Sequence, residues 1–163
     1  MFKGCTSLTQ APTLPATTLA DYCYRNMFQG CTSLTSAPEL PATTLASNCY
    51  SSMFSGCSSL TSAPALPATT LDHSCYSSMF EGCTSLETAP ALQAQTLANY
   101  CYYYMFSNCT SLNKIEVSFI EWNPSNATTN WFNGISSTGT FICPEELDTS
   151  TRDASHIPEG WTI

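Results

Sequence analysis

Basic residues are scarce in this sequence: only four of its 163 residues are lysine or arginine, against twelve aspartates and glutamates. The formal net charge at pH 7 is therefore −8. Proteins that bind phosphate backbones need a basic surface, so nucleic acid is not an expected partner. Charged residues of both signs make up 10% of the chain, whereas globular proteins usually have about 25%, so the surface must be largely uncharged.

A long apolar run is missing as well. No segment approaches the roughly 18 consecutive apolar residues of a membrane-spanning helix, and we expect no direct membrane insertion. No secretion signal is visible either. Because Met1 occupies a position of the repeat described below, we expect the sequence to be a piece of a longer protein whose first repeats, signal and anchor lie elsewhere.

The residue groupings that carry catalysis or bind metals are absent. The two histidines, His73 and His156, have no serine, cysteine or aspartate at a spacing typical of a nucleophile–base pair. No Cys-x-x-Cys or Cys/His spacing typical of zinc sites occurs. The acidic residues between Glu145 and Asp153 lack the Asp-x-Asp-x-Asp-Gly pattern of calcium loops. We therefore expect no enzymatic activity, no metal and no cofactor.

The dominant positive feature is an internal repeat of 26 residues in the first two-thirds of the chain. A Met-Phe pair recurs at this period, beginning at Met1, Met27, Met53, Met79 and Met105. Cysteines recur in two series, one comprising Cys5, Cys31, Cys57, Cys83 and Cys109 and the other Cys23, Cys49, Cys75 and Cys101. A fixed period of about 20 to 50 residues indicates a solenoid or similar array, in which each unit contacts only its neighbours.

The spacing of apolar residues predicts a short helix in each unit. In the unit of residues 31–56, Leu45, Cys49 and Met53 are four residues apart, which would place them on one face of a helix. Glycine or asparagine, which tolerate the left-handed conformation that follows a helix, ends each segment. These residues are Gly30, Gly56, Gly82 and Asn108. The predicted helices lie near residues 18–29, 44–55, 70–81 and 96–107.

The other half of each unit predicts a short extended segment. Leu60, Ala63 and Leu66 lie on either side of Pro64 and before Pro67. Because proline has no amide hydrogen for a sheet ladder, we expect only one or two bridging residues per coil and a bulge. The leucines that begin these segments should form one buried column, which comprises Leu8, Leu34, Leu60, Leu86 and Leu112.

The pattern Phe-x-x-Cys-x-x-Leu-x-x-apolar, followed by Leu-Pro, resembles the BspA-like leucine-rich repeats of bacterial surface proteins. The Met-Phe pair is also similar to the Met-Phe repeats of mycoplasma and gut-bacterial surface proteins. The resemblance covers Met1 to about Leu112 and implies an α/β repeat solenoid, a right-handed coil of short strands and short helices. One departure leaves the strand register open: Ala37 and Leu40 are three residues apart, where the family usually has two.

The last third of the chain follows the repeat only loosely. We therefore divide the chain into an array of about four units over residues 1–112, truncated at its N-terminal end, and a part over residues 113–163 that contains degenerate last repeats and an irregular, β-rich cap. Strands are expected around Ile115–Phe119, Gly139–Pro144 and Ile157–Ile163. All three tryptophans lie in this part, namely Trp122, Trp131 and Trp161. Such a segment is typical of the cap that closes the open core of a solenoid.

The ten cysteines allow two interpretations. Free cysteine behaves as a small core residue, and copies one period apart would stack as columns of buried thiols. Alternatively, one disulfide scheme uses all ten: Cys5–Cys23, Cys31–Cys49, Cys57–Cys75, Cys83–Cys101 and Cys109–Cys143. The sequence leaves this choice open.

The resemblance implies a non-catalytic recognition or adhesion module on the surface of a bacterium, with a host or neighbouring-cell protein or a glycan as partner. A structural spacer or stalk within a larger surface protein is the alternative. Candidate contact residues lie in outward columns of the repeat and in a tyrosine-rich segment. They are Thr9, Thr13, Thr35, Ser36, Glu39, Thr61, Ser62, Glu87, Thr88, Tyr102, Tyr103 and Tyr104. Self-association through the uncovered first coil is a further expectation.

Overall fold

The computed structural model describes all 163 residues, and successive repeats stack as parallel coils of a solenoid. Backbone bridges join residues one period apart, as between Gln10 and Ser36 and between Ser36 and Ser62. One cluster of 40 buried residues runs from Leu14 to Trp161, so the repeats and the C-terminal part share a single core. The solenoid predicted from the repeat is therefore confirmed.

The structure contains no helix, so the helices predicted near residues 18–29, 44–55, 70–81 and 96–107 are wrong. These regions are chains of overlapping turns, which we call turn ladders, over residues 20–31, 46–57, 72–83 and 98–109. In the second ladder, the amides of Cys49, Ser51 and Met53 donate to the carbonyl three residues earlier. An α-helix would instead connect each amide to the carbonyl four residues earlier.

The amides between these turns donate to the next coil. Tyr50 donates to the carbonyl of Cys75 at 3.0 Å, and Ser52 donates to that of Ser77 at 2.8 Å. Five such bonds join the first ladder to the second, five the second to the third, and five the third to the fourth. All run in one direction, from an amide of one coil to a carbonyl of the following coil. Alternate backbone groups thus depend on the neighbouring coil for a partner.

Every fourth residue of a turn ladder adopts the left-handed conformation. In the second ladder, φ is 55° at Asn48, 53° at Ser52 and 74° at Gly56. These residues occupy the third position of alternate turns, where type II turns need a positive φ. The expected positive φ at the end of each ladder is confirmed by Gly30, Gly56, Gly82 and Asn108. The same angle at every fourth residue makes a continuous right-handed helix impossible.

The turn ladder also explains why the apolar spacing suggested a helix. Buried side chains occur as pairs, Cys49 with Tyr50 and Met53 with Phe54, followed by Cys57. Two further residues separate each pair from the next, so the ladder has a period of four. Because one face of a helix also recurs every three or four residues, the apolar pattern alone does not distinguish the two structures.

The extended halves of the coils form sparse parallel sheets. Regular strands occur only near the C-terminus, as β1 (Lys114–Glu116), β2 (Gly139–Ile142) and β3 (Trp161–Thr162), paired in that order. They confirm the strands expected there. Elsewhere single bridges connect the coils, as expected from the prolines.

The expected bulge lies in the fourth coil. Thr88 bridges to Lys114 and Leu92 bridges to Val117. Between these two bridges, the fourth coil has one residue more than the segment formed by β1 and its continuation, which is a bulge. Pro90 lies within the longer stretch.

The three tryptophans pack at the C-terminal end of the solenoid, in the part where the sequence predicts a cap. Trp131 and Trp161 are buried and Trp122 is half-buried. Each indole N–H donates to a backbone carbonyl, with Trp122 to Asp148 (2.7 Å), Trp131 to His156 (3.0 Å) and Trp161 to Ser136 (2.9 Å). A further run of turns over residues 125–134 receives acceptors from the chain that follows it, because the amide of Phe132 donates to the Ala154 carbonyl and the amide of Asn130 donates to the Ser155 hydroxyl.

The leucine column gives a test of the shared core. Leu34, Leu60, Leu86 and Leu112 have no exposed surface, whereas Leu8, in the first coil, is only partly buried. Leu60→Ala should lower the free energy of unfolding by about 2–5 kcal/mol, because it leaves a cavity between two coils. Urea unfolding measures the loss. Leu8→Ala is the control and should cost less; an equal cost would contradict the stacked column.

A second test concerns the left-handed residues that end the ladders. A Cβ added at Gly56 would lie 3.7 Å from its nearest neighbour, an ordinary contact, so the φ of 74° is the obstacle rather than crowding. Gly56→Val should destabilise the protein by at least about 1–2 kcal/mol. Ser55→Val, one residue earlier, should change stability by less than about 0.5 kcal/mol. Similar thermal midpoints for the two variants would refute the conformational argument.

Candidate partner-binding surfaces

A row of three shallow hollows follows the stack on the side formed by the Ala-Pro-x-Leu-Pro segments. Each lies between two consecutive coils, and their volumes along the chain are about 350, 270 and 410 Å³. We call this surface the proline groove. The prolines that line it are Pro15, Pro38, Pro41, Pro64, Pro67 and Pro90. Such an open apolar row repeats one chemistry at every coil and suits an elongated partner.

The groove exists because proline interrupts the pairing between coils. Leu40 and Leu66 point into the core and are each 3% exposed, while the prolines beside them have no amide hydrogen to donate. The amides of Thr13, Glu39 and Ala65, in the same segments, donate no hydrogen bond within the protein. The apolar walls of the groove therefore belong to segments whose backbone amides are free.

The predicted contact residues fall on two surfaces. Thr13 and Glu39 line the groove, where Ala65 and Ala91 continue their column. The other predicted threonines, serines and glutamate are exposed and precede the groove by a few residues in each coil. These are Thr9, Thr35, Ser36, Thr61, Ser62, Glu87 and Thr88. Ser36 and Ser62 also take part in the backbone bridges between coils.

Tyr102 is wrongly placed among the contact residues. It is 1% exposed and belongs to the inward column of Tyr24, Tyr50 and Tyr76, in which adjacent rings stack with centroids 5.8 to 6.1 Å apart. The cause is its position in the ladder, where it follows the inward cysteine. Tyr103 and Tyr104 are half-exposed, as a surface role requires.

All ten cysteines are free thiols. Eight of them lie either in the stacked columns of the later coils or in the cap. Cys57 donates to the carbonyl of Phe28 at 3.2 Å, and Cys83 donates to that of Phe54 at 3.2 Å. Burial raises the pKa of Cys57 from 9.0 to about 12. Of the two open interpretations, the structure therefore shows the packed thiols. Cys5 and Cys23 are exposed because they belong to the first coil, whose outer face no other coil covers.

No group of three or more histidine, cysteine, aspartate and glutamate side chains lies close enough to hold a metal ion. The one side-chain contact between an acidic and a basic residue, His156 Nδ1 with Asp153 Oδ1 at 2.9 Å, belongs to the cap. Burial acts to raise the pKa of Asp153, but hydrogen bonds from His156 and nearby amides outweigh it, so this pKa is lowered. The structure also offers no helix with the length and hydropathy needed to cross a membrane.

The comparison with protein families gives one match. A family described as BspA type Leucine rich repeat region matches residues 1–103 and 73–154, in six copies. The match continues past Leu112, into the part that the sequence suggested as degenerate repeats and cap. No curated protein and no solved structure matches the chain significantly.

The buried thiols predict a loss of stability at alkaline pH. Burial raises the pKa of both Cys49 and Cys57 to about 12, so the folded state keeps protons that the unfolded chain releases near pH 9. The free energy of unfolding should be constant below about pH 8 and decline between about pH 9 and about pH 12. Urea midpoints measured under reducing conditions test this. Cys57→Ala should flatten the decline, and an unchanged slope would contradict it.

Proposed function

Because the chain belongs to the BspA-type leucine-rich repeat family, we propose that it is a non-catalytic recognition module displayed on a bacterial surface. Its partner is an extended protein segment, and the proline groove is the contact surface. The observation that carries this proposal is the row of hollows with free backbone amides at Thr13, Glu39 and Ala65. Partner carbonyls can accept those hydrogen bonds, while the proline walls receive apolar side chains.

Repetition supports this function physically. The groove offers nearly the same contact at each of three successive coil junctions, so a long partner gains several weak contacts at once. The stacked rings and the amide ladder hold these junctions in place before binding. Little ordering free energy is then lost when the partner binds. Truncation of a single side chain to alanine should matter little, whereas the number of coils should matter greatly.

The exposed rows beside the groove add polar contacts at its margin. Thr35, Thr61 and Glu87 are exposed in consecutive coils, and Thr61 Oγ1 donates to the Thr35 carbonyl at 3.3 Å. Their hydroxyl and carboxylate oxygens accept hydrogen bonds from a partner. They form the polar rim that interfaces of this kind usually have around an apolar centre.

A spacer or stalk within a larger surface protein is the second candidate. It is favoured by the uniformity of the coils: the Phe2, Phe28, Phe54, Phe80 and Phe106 rings form an unbroken stack with centroids 5.6 to 5.7 Å apart. Such a stack resists bending without binding anything. A spacer differs from a recognition module in one measurable way, because no partner affinity would depend on the groove.

The test uses two altered proteins and a panel of immobilised host matrix proteins and glycans. Deletion of residues 31–82 removes two whole repeats and joins Gly30 to Cys83, which restores the native Gly-Cys junction and leaves one groove hollow in place of three. Ala65→Trp fills the two hollows that Ala65 lines. Each change should weaken binding to a protein partner at least about tenfold.

Thr32→Trp is the matched control, since Thr32 is exposed and lines none of the hollows. It should leave binding unchanged. Undiminished affinity in both the deletion and Ala65→Trp would refute the groove as the contact surface. Absence of any partner across the panel would favour the spacer, and binding only to glycans would overturn the choice of a protein segment.

A further inference from the structure

The fourth turn ladder differs from the others at one place on its outer surface. Tyr100, Tyr103 and Tyr104 lie there, and we call them the tyrosine patch. The second and third coils have small polar residues at the same positions, namely Asn48, Ser51 and Ser52 and then Ser74, Ser77 and Ser78. The repeat therefore does not need tyrosine at these positions in order to fold.

The three rings of the patch contact one another in fixed orientations. Tyr100 and Tyr103 meet edge to face with centroids 5.5 Å apart, and Tyr103 and Tyr104 lie 4.5 Å apart at 60°. The Tyr104 hydroxyl accepts a hydrogen bond from Asn130 Nδ2 at 2.9 Å. His73 packs its ring edge against Tyr100 at 5.6 Å. The patch is thus a preformed surface whose ring faces are partly open to solvent.

The backbone of the patch is unfavourable for its residues. φ is 57° at Tyr100 and 52° at Tyr104, a conformation that bulky side chains rarely adopt. Tyr100 gains little burial in return, because 40% of it remains exposed. Asparagine or serine would fit these positions with less strain. Residues held in such strained conformations often belong to binding sites.

The first coil shows what an exposed tyrosine of this column binds. Tyr22 occupies the position equivalent to Tyr100, and the guanidinium carbon of Arg25 lies 5.6 Å from the centre of its ring. Arg25 in turn occupies the position equivalent to Tyr103. In the fourth coil, the ring of Tyr103 therefore occupies the position that the guanidinium of Arg25 has in the first coil. The fourth coil has the aromatic faces but no cation of its own.

The charge around the patch is negative. No lysine or arginine occurs between Arg25 and Lys114, whereas Glu81 and Asp72 lie in the adjacent third coil. Partial burial, the neighbouring tyrosines and the Glu81 carboxylate together raise the pKa of Tyr103. A cation placed here would meet ring faces and a carboxylate, with no lysine or arginine in the neighbouring coils to repel it. Anionic groups, such as phosphates, are disfavoured for the same reason.

We propose that the tyrosine patch, together with Glu81, binds an arginine side chain of a basic partner protein. The open ring faces attract the guanidinium through cation–π contact, and Glu81 supplies the opposite charge. Arginine suits the site better than lysine because its planar group stacks on aromatic rings. This site is separate from the proline groove and does not depend on the function proposed for it.

The test compares two probes that differ in charge alone. The capped peptide Gly-Arg-Gly-Arg-Gly is titrated into the full chain, and tyrosine ring signals are followed by NMR. The same peptide with citrulline in place of arginine keeps the shape and loses the charge. The arginine peptide should bind at least about tenfold more tightly, and its affinity should fall as salt is added.

The variants replace the patch with residues that other coils already use. Tyr100→Asn, Tyr103→Ser and Tyr104→Ser combined should abolish the preference for arginine while keeping or raising the thermal midpoint. Glu81→Gln, which copies Gln29 of the first coil, should weaken arginine binding several-fold. Tyr22→Asn is the control and should leave peptide binding unchanged, because that ring already has Arg25 as its partner.

Three results would overturn the proposal. The first is equal affinity for the arginine and citrulline peptides, or no binding of either. The second is unchanged arginine binding in the folded triple variant. The third is a response of the tyrosine signals to a neutral oligosaccharide but not to the arginine peptide, which would identify the patch as a sugar platform. Ala65→Trp should not affect this assay, so the outcome is independent of the groove.

Discussion

The hydrogen bonds between successive turn ladders are the interaction on which the rest of the structure depends. They satisfy alternate amides of each coil, and they hold equivalent residues directly above one another. That alignment stacks the phenylalanine rings on one another and the tyrosine rings on one another. It also lets the cysteine thiols donate to phenylalanine carbonyls. A single unit could not bury its apolar pairs alone. On the extended side the prolines have no amide to donate, only single bridges join the coils, and the proline groove lies there.

The sequence predicted the period, the leucine column, the left-handed glycines and the C-terminal strands, because each has a local chemical signal. The helices failed because Cys49, Met53 and Cys57 repeat at a spacing that helices and turn ladders share. Only the hydrogen-bond acceptors of the amides between these residues distinguish a helix from a turn ladder. In the turn ladder those acceptors lie in a neighbouring coil. A usable signal was present in the small polar residues at every fourth position, such as Asn48, Ser52 and Gly56.

The candidate surfaces were predictable to a smaller degree. Thr13 and Glu39 were found because their column alternates with the inward leucines. The hollows themselves depend on how prolines of adjacent coils meet, which follows from a strand register that the sequence left open. Tyr102 was misplaced because adjacency to Tyr103 and Tyr104 does not reveal which side of a ladder a residue faces. The tyrosine-rich segment that the sequence indicated as a candidate exposed patch begins at Tyr100, and the structure adds the exposure and the backbone angle of that residue.

The common direction of the hydrogen bonds between turn ladders gives this side of the solenoid an electrical polarity. Aligned peptide dipoles add along a helix, and here they add from coil to coil, with carbonyl ends toward the first coil and amide ends toward the cap. The side-chain charges complement this macrodipole. Lys3 and Arg25 lie in the first coil, and seven of the twelve acidic residues lie in residues 113–163. The basic side chains thus offset the negative charge of the carbonyl end, and the acidic ones offset the positive charge of the amide end, as charged residues do at the termini of an α-helix.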